Sequence, residues 1–558
     1  MRVLFVLLLA LACGHATSVP AGRKPSPNTP SRFSGSDGAA QLSEQTHALL
    51  RAEGDLLWTR WTTGSGPLPA SALAAHRRLA ERESIEIAVA AAARASGSDA
   101  RAFRLLAQQL STLAIAREAA AEIEALERSR AQLAFAAPGE KRAMLGERDL
   151  DRLLTDEANA QKRFVLAQAE AKAAEPLAPL TIARDAAVDK AIAALGLDSW
   201  AAVEERAHAI PLSDLAQLAE ATLAATEQVG QRAVAAASVR NIGVTADRLR
   251  RADLPRLART ALADPQFTPG NAWANARDVL SKIGDPPPSA LRLDTEPSPS
   301  KGARPLALLV DPPSDVRLSL RPTGGFEEQR ATLHEGARAV GATLIDVPRW
   351  ELAQLGDGSA SEGVALLFES LAGQPEWLRA TTQLRGEPLD DVVHTEATRR
   401  LLAVRRAAAM VLFEIKRRDG VQAAETQGAL YRGLLQRALY CVLSDDDAGR
   451  WALEADVFAS GVVPLLGGLL AAQLEGTLSP SWWTAPRPAL KQIWAGGRSM
   501  GAFEAARTLG LAQLDPAALA TIVDERLRYS APDAPPPAPK PDYKYMQGDK
   551  KKRRKRAR

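Results

Sequence analysis

The sequence predicts a mainly α-helical protein in which a small β-hairpin or edge sheet precedes one helix. Long stretches are rich in Ala, Leu, Arg and Glu, which favour helices, and aromatic residues make up only 5% of the chain. Apolar residues recur largely at three- and four-residue spacing over 41–262 and again over 327–528, as in amphipathic helices. Two short apolar runs, 306–310 and 316–320, are the strand-like segments, and the prolines and polar residues between them predict a turn.

Shifts in composition divide the 558 residues into five segments. They are a signal peptide at 1–12, a lipidated cysteine with a flexible tether at 13–40, an N-terminal helical lobe at 41–262, a second helical domain with the candidate site at 263–530, and a disordered Pro-rich, polybasic tail at 531–558. The tether is rich in Ser, Pro and Gly, which cannot bury a core. Residues 263–303 are Pro-rich and are expected to be irregular.

The N-terminus has the pattern of an export signal. A basic start precedes a ten-residue apolar run, Val3–Ala12, which is shorter than the roughly 20 residues of a spanning helix. The run ends in Ala-Leu-Ala before Cys13 and resembles the bacterial lipobox, although Ala10 and Leu11 depart from its usual order. This predicts a lipid anchor on Cys13 at the bacterial cell envelope, with outer-membrane sorting implied by the absence of Asp after the cysteine. A plain secretory signal cut near Ala12 or Ala16 is the alternative, and the protein would then be secreted.

The basic charge of the chain is confined to its C-terminal tail. Eight of the nine residues in Lys550–Arg558 are basic, so the formal net charge of +4 leaves −4 for the rest. A mildly acidic body gives no reason to expect specific nucleic-acid binding. The tail could contact anionic lipid at the envelope, bind nucleic acid without specificity, or act as a solubilising end.

The strongest local signal is His334-Glu335-Gly336-Ala337-Arg338, on a helix that follows the two strands and a Gly-containing turn. Zinc peptidases use H-E-x-x-H on a helix, where the four-residue spacing places both imidazoles on one face and the Glu acts as general base. Here Arg338 stands where the second His would be. Glu362 lies on a following helix, 28 residues after His334, where a third ligand would lie. A capping box formed by Ser359 and Glu362 is the alternative role for that carboxylate.

Around this motif the chain resembles the thimet oligopeptidase and oligoendopeptidase family of gluzincin zinc metallopeptidases. The ordered series that carries the resemblance is Leu293-Asp294-Thr295-Glu296-Pro297, Pro322-Thr323-Gly324-Gly325, Leu333-His334-Glu335, Leu355-Gly356-Asp357, Glu362-Gly363, Leu367-Phe368-Glu369 and Pro375-Glu376-Trp377-Leu378. The resemblance implies a two-lobed helical body with a deep central channel and a metal at its floor. It assigns the ligand role to His334 and Glu362 and the general-base role to Glu335. The family's late Tyr is missing from the matching region 444–451, and Tyr431 and Tyr440 are nearby.

The substitution at Arg338 argues against an ordinary catalytic zinc. A guanidinium has no lone pair to offer a metal and keeps its positive charge at all relevant pH values. His334 and Glu362 alone fall short of the three protein ligands of a catalytic zinc. We therefore expect no cofactor, and Zn²⁺ only if the site is still functional. We further expect that Arg338 replaces the charge of the metal by pairing with Glu335, Glu362 or both.

Three functions remain open from the sequence. The first is a catalytically inactive, metallopeptidase-like envelope lipoprotein that binds peptides or a partner protein. The second is an active zinc-dependent oligopeptidase with an altered metal shell, in which Asp357 or Glu369, for example, completes the site. The third is a structural or scaffold lipoprotein that does not use the channel.

Overall fold

The structure is a computed structural model. It describes residues 36–136, 144–283, 290–420, 423–478 and 480–532. The predicted signal peptide, Cys13, most of the tether and the basic tail lie outside the described residues. The first described helix already begins at Ser36, five residues before the predicted helical region.

The first half of the described chain is a succession of helices joined by short turns. They are α1 (Ser36–Thr63), α2 (Arg82–Arg94), α3 (Gly97–Glu118), α4 (Ala120–Ala131), α5 (Glu147–Asp156), α6 (Ala160–Ala174), α7 (Leu177–Ala194), α8 (Trp200–His208), α9 (Leu212–Ala225), α10 (Glu227–Ala237), α11 (Leu254–Leu257) and α12 (Asn271–Ile283). A 3-10 segment, Pro69–Ala80, joins α1 to α2. A hairpin of β1 (Ala134–Ala136) and β2 (Met144–Gly146) interrupts the series, although the periodicity predicts helices throughout this region.

Helices also dominate the second half, after a small sheet. They are α13 (Phe326–Thr343), α14 (Trp350–Gln354), α15 (Ser359–Glu369), α16 (Pro375–Thr381), α17 (Glu387–Arg418), α18 (Ala424–Leu439), α19 (Asp445–Ala448), α20 (Trp451–Glu454), α21 (Val462–Thr477), α22 (Pro488–Ala495), α23 (Ala502–Thr508) and α24 (Pro516–Arg528). The prediction of a mainly α fold with a small sheet before the site helix is confirmed. Within the described residues, no helix is both long enough and apolar enough to span a bilayer.

The sheet before the site helix has three strands, β3 (Leu291–Asp294), β4 (Leu306–Asp311) and β5 (Asp315–Ser319). Strands β4 and β5 form the antiparallel hairpin predicted from the sequence, and β3 pairs in parallel with the far side of β5. The spatial order is therefore β3-β5-β4, which leaves β4 at an edge. The expectation that 263–303 is irregular was wrong, because α12 and β3 both lie in that region.

The start of α13 is fixed by a glycine turn and two carboxylates. Gly325 has a φ of +94°, a backbone conformation that favours glycine, and it stands immediately before the helix. The Glu328 carboxylate accepts hydrogen bonds from the Thr323 amide (2.6 Å) and hydroxyl (3.1 Å), and Asp264 accepts one from the Phe326 amide (2.9 Å). These acceptors satisfy groups at the helix entrance, where amides lack intrahelical partners.

Two helices cross closely at the site because each contributes a glycine at the contact. Gly363 on α15 would place a Cβ 2.8 Å from Leu470 of α21, and Gly467 of α21 would place one 3.0 Å from Glu362. Neither position has room for a larger side chain, so the two backbones pack directly. This packing sets the height at which the Glu362 side chain leaves α15.

Candidate functional site

His334 lies where α13 and α15 run side by side. Its Nδ1 donates a hydrogen bond to Glu369 Oε2 at 2.9 Å. Its Nε2 faces two other carboxylates, at 3.6 Å from Glu362 Oε1 and 3.8 Å from Glu335 Oε1. The two carboxylates that the sequence predicts at the site, Glu335 and Glu362, therefore both lie near one ring nitrogen of His334.

Glu369 holds the ring from the opposite side. Besides the hydrogen bond from His334, the Glu369 carboxylate accepts one from Arg399 at 2.9 Å and forms an ion pair with Arg330. Burial works against the charged form of Glu369, but Arg330, Arg399 and His334 hold its pKa well below the ordinary range. A carboxylate that orients the non-ligating nitrogen is the usual companion of a metal-binding histidine. Glu369, which the sequence suggested as a substitute ligand, thus faces the wrong nitrogen and is already paired.

The carboxylates around His334 favour its charged form. Burial alone would lower the pKa of His334, but Glu362, Glu369 and Glu335 outweigh this and raise the pKa to about 9. This shift favours the protonated ring, in which both nitrogens are hydrogen-bond donors. A metal would first have to displace that proton.

Arg338 forms the ion pair with Glu335 that its position predicts. One guanidinium nitrogen lies 3.1 and 3.3 Å from the two Glu335 oxygens. The pKa of Arg338 is raised, mainly by Glu335 against the effect of burial, with a further contribution from Glu362. Glu335 Oε2 also accepts the backbone N–H of Ala307 on edge strand β4 at 2.8 Å. The residue matched to the general base is thus held between a fixed cation and the sheet.

These side chains do not fit a catalytic zinc ion. The groups here that could coordinate a metal are His334 Nε2 and the Glu362 carboxylate. The Glu335 carboxylate is paired with the Arg338 guanidinium. Among the described ranges, no group of three or more His, Cys, Asp or Glu side chains is arranged to hold a metal. Arg338 already brings a positive charge to the Glu335 carboxylate.

Space on one side of Arg338 is limited. A pocket of about 20 Å³ lies beside Arg338, close to the volume of a single water, and its walls include Gly341 and Trp494. Trp494 is 3% exposed and lies so close that a Cβ on Gly341 would be 2.4 Å from its indole nitrogen. This pocket is too small for a peptide, and its walls include Arg338 but not His334, Glu335 or Glu362.

Asp357, which the sequence suggested as a residue to complete the site, has other partners. Asp357 accepts hydrogen bonds from the Ser359 amide (2.9 Å) and hydroxyl (3.0 Å), and His208 Nδ1 lies 3.6 Å from its other oxygen. Gly358 precedes α15, so the proposed capping box of Ser359 and Glu362 was wrong.

The late tyrosines also lie elsewhere. Tyr440 OH donates to the Glu227 carbonyl oxygen at 3.0 Å, and its ring contacts Arg405. Tyr431 is fully buried against Phe413. Neither contact places a hydroxyl beside His334, so no described tyrosine contact supplies the family's late Tyr at the site.

Comparison with solved structures gives a clear likeness over nearly the whole chain. A structure of Pz peptidase A with an inhibitor matches with a TM-score of 0.62 at 10% identity, covering 90% of this chain and 98% of the other. The chain has the fold of this peptidase. A putative oligoendopeptidase F matches with a TM-score of 0.61 at 12% identity, covering 88% and 96% respectively. The oligopeptidase fold thus supports the motif resemblance, whereas no family model and no curated protein matches the sequence.

Proposed function

We propose that this protein is a catalytically inactive, metallopeptidase-like lipoprotein that binds peptides or a partner protein at the bacterial cell envelope. One observation carries the proposal. Arg338 occupies the second ligand position of the zinc motif and pairs with Glu335, the residue matched to the general base. The oligopeptidase fold is kept, while its metal-dependent chemistry has lost both a ligand and a free base.

We attribute the loss of activity to the hydrogen bonds that Glu335 would have to break in order to act as a general base. A general base must be within hydrogen-bond reach of the proton that it accepts. The Glu335 carboxylate instead takes hydrogen bonds from Arg338 and from the Ala307 amide. Releasing them would leave a guanidinium and a backbone N–H without this acceptor in a largely buried setting, which is costly.

Peptide binding is proposed on the likeness of fold, because the matched proteins are named as peptidases. Anchoring through Cys13 is proposed on the lipobox resemblance, and the tail Lys550–Arg558 would add contact with anionic lipid. The C-terminal extension and the N-terminal tether would then both hold the helical body near a membrane surface.

The deciding experiment measures metal content and peptide turnover on the same preparation. The protein purified from cells grown with zinc is expected to hold far less than one zinc per chain and to leave quenched fluorescent oligopeptides uncleaved, with and without chelator. Stoichiometric zinc and chelator-sensitive cleavage would overturn the proposal in favour of an active oligopeptidase with an altered metal shell. Absence of peptide binding, with capture of one fixed envelope protein, would instead favour a scaffold.

A further inference from the structure

His208, the last residue of α8, lies between two buried carboxylates. Its Nε2 is 3.6 Å from Glu204 Oε2, one turn earlier on the same helix, and its Nδ1 is 3.6 Å from Asp357 Oδ2. The side chains of His208, Glu204 and Asp357 are 2%, 0% and 7% exposed. A protonated imidazole here has a carboxylate on either side, whereas a neutral ring leaves both carboxylates buried without that charge, which is costly.

The contact between His208 and Asp357 joins two segments that are far apart in the chain. Helix α8 belongs to the first half, and Asp357 lies two residues before α15, the helix that carries Glu362. Glu204 accepts the Ala459 amide at 3.1 Å, and Asp357 accepts the Ser359 amide, as described above. Each carboxylate is therefore fixed within its own segment, and the charge on the imidazole sets how strongly α8 holds the segment before α15.

The segment that carries Asp357 has a backbone and a surrounding space that suit movement. Asp357 lies between Gly356 and Gly358, whose φ angles of +114° and +71° are conformations that favour glycine. His208 and Asp357 both line a cavity of about 1170 Å³, whose walls also come from α2, α3 and α23. Movement into a cavity does not require a close-packed core to be displaced.

The charged groups around these three side chains are mostly engaged elsewhere. Arg498 donates to the Gly356 and Asp357 carbonyl oxygens at 3.3 and 3.5 Å. Arg101 attracts the Asp357 carboxylate but is bound to Glu504 at 2.7 Å, and Arg206 of α8 lies 3.2 Å from Asp198. Guanidinium groups stay charged at all relevant pH values, whereas an imidazole is the side chain that ordinarily changes charge between about pH 5 and 8. The remaining charged residues of the cavity wall are Arg104, Asp214 and Arg507.

We propose that the contact of His208 with Asp357 is a pH-sensitive latch between α8 and residues 355–358. The protonated imidazole holds Asp357 against Glu204 and keeps the latch closed. As pH rises and the proton leaves, the two buried carboxylates lose the charge between them, and residues 355–358 move away from α8 towards the cavity. The inference goes beyond the proposed function and does not depend on peptide binding.

Hydrogen–deuterium exchange of the full-length protein at pH 6 and pH 8.5 tests the latch. Exchange of residues 355–361, read by mass spectrometry and divided by the intrinsic rate at each pH, reports how often this segment opens. We expect the protection of residues 355–361 to fall at least about tenfold at the higher pH, because opening then no longer breaks an ion pair.

Three variants locate the titrating group. His208→Gln should leave protection low and equal at the two pH values, because the amide carries no charge at either. Asp357→Asn keeps an oxygen for the Ser359 amide but removes the charge that the imidazole faces, so it should also lose most of the pH dependence. His76→Gln is the matched control, because His76 does not line the cavity and makes no side-chain hydrogen bond or ion pair with the described residues.

Each outcome decides for or against the latch. Equal protection at the two pH values in the unmodified protein overturns it, as does an unchanged pH dependence in a folded His208→Gln variant. If His208→Gln does not fold, the Asp357→Asn variant decides, and full retention of the pH dependence there overturns the latch. Loss of the dependence in the folded latch variants, with His76→Gln behaving as the unmodified protein does, supports it.

Discussion

Replacing Arg338 by Met tests whether this residue has taken over the structural work of a metal ion. The side chains of Arg338 and Glu335 are 20% and 15% exposed. Removing one partner of a fully buried pair costs about 3 to 5 kcal/mol, and exposed pairs contribute about 0 to 1 kcal/mol. Because Glu335 keeps the Ala307 amide as a donor, we expect a loss of about 2 kcal/mol in the free energy of unfolding.

The double variant Arg338→Met/Glu335→Gln separates the pair from the loss of a side chain. The Glu335→Gln change would remove the unpaired charge, and the new amide oxygen could still accept from Ala307, so the double variant should lose under about 1 kcal/mol. Urea unfolding followed by circular dichroism measures both changes. The same Arg-to-Met change at Arg82 is the control, because its pair with Glu86 is 61% exposed on both sides and should contribute less than about 0.5 kcal/mol.

The reasoning fails if Arg338→Met is as stable as the unmodified protein, or if the single and double variants lose the same amount. Either result would mean that the charge on Glu335 does not need its partner. Arg338 would then be a tolerated substitution and not a replacement for the metal.

Three other predictions concern the zinc motif, a buried carboxylate and the N-terminal cysteine. Arg338→His restores the four-residue spacing of imidazoles beside Glu362, so zinc content measured by mass spectrometry should rise towards one per chain; no gain would argue against a zinc-site origin. Burial raises the pKa of Glu454, but Arg406 and Arg450 outweigh it and lower the pKa from 4.5 to about 2. The stabilisation of the fold by charged Glu454 is therefore complete above the pKa of Glu454 in the unfolded chain and is lost as pH falls towards 2. Glu454→Gln should weaken this pH dependence, which is measured as the free energy of unfolding at about pH 6 and about pH 3. Cys13→Ser should abolish labelling by a palmitate analogue and release the protein from the membrane fraction, whereas retention of both would refute the lipid anchor.

The elements that could be predicted from the sequence were those with a strong apolar periodicity or with proline and glycine turns at their ends. Strands β4 and β5 were predicted because each is a short apolar run and prolines mark the turn between them. Helix α13 was predicted from its spacing and from the glycine turn before it. Strand β3 was missed because it is only four residues long and alternates Leu with charged residues, so its pairing with β5 depends on a contact that no local pattern encodes.

The candidate site shows the same division. The pairing of Arg338 with Glu335 was predictable because three-residue spacing on a helix brings two side chains together. The role of Glu369 was not predictable, because a residue seven positions after Glu362 could be a metal ligand or could orient the ligand His334. Only the direction of the His334 ring distinguishes these two roles. A cavity of about 1170 Å³ beside α2 was not predicted either, because its walls come from segments as far apart in the chain as Ile85 and Arg507.

The position of β4 at an edge of its sheet has a consequence for what can bind there. An exposed edge is a ready template for a further strand, whether a bound peptide or another protein chain. In this protein the outward Ala307 N–H is taken by Glu335, and the Leu309 and Val310 carbonyls accept from the Gln354 amide at 3.2 and 3.3 Å. These hydrogen bonds occupy backbone groups of β4 that an added strand would need. A histidine at position 338 would leave this edge unavailable to an added strand for as long as Glu335 and Gln354 keep these hydrogen bonds.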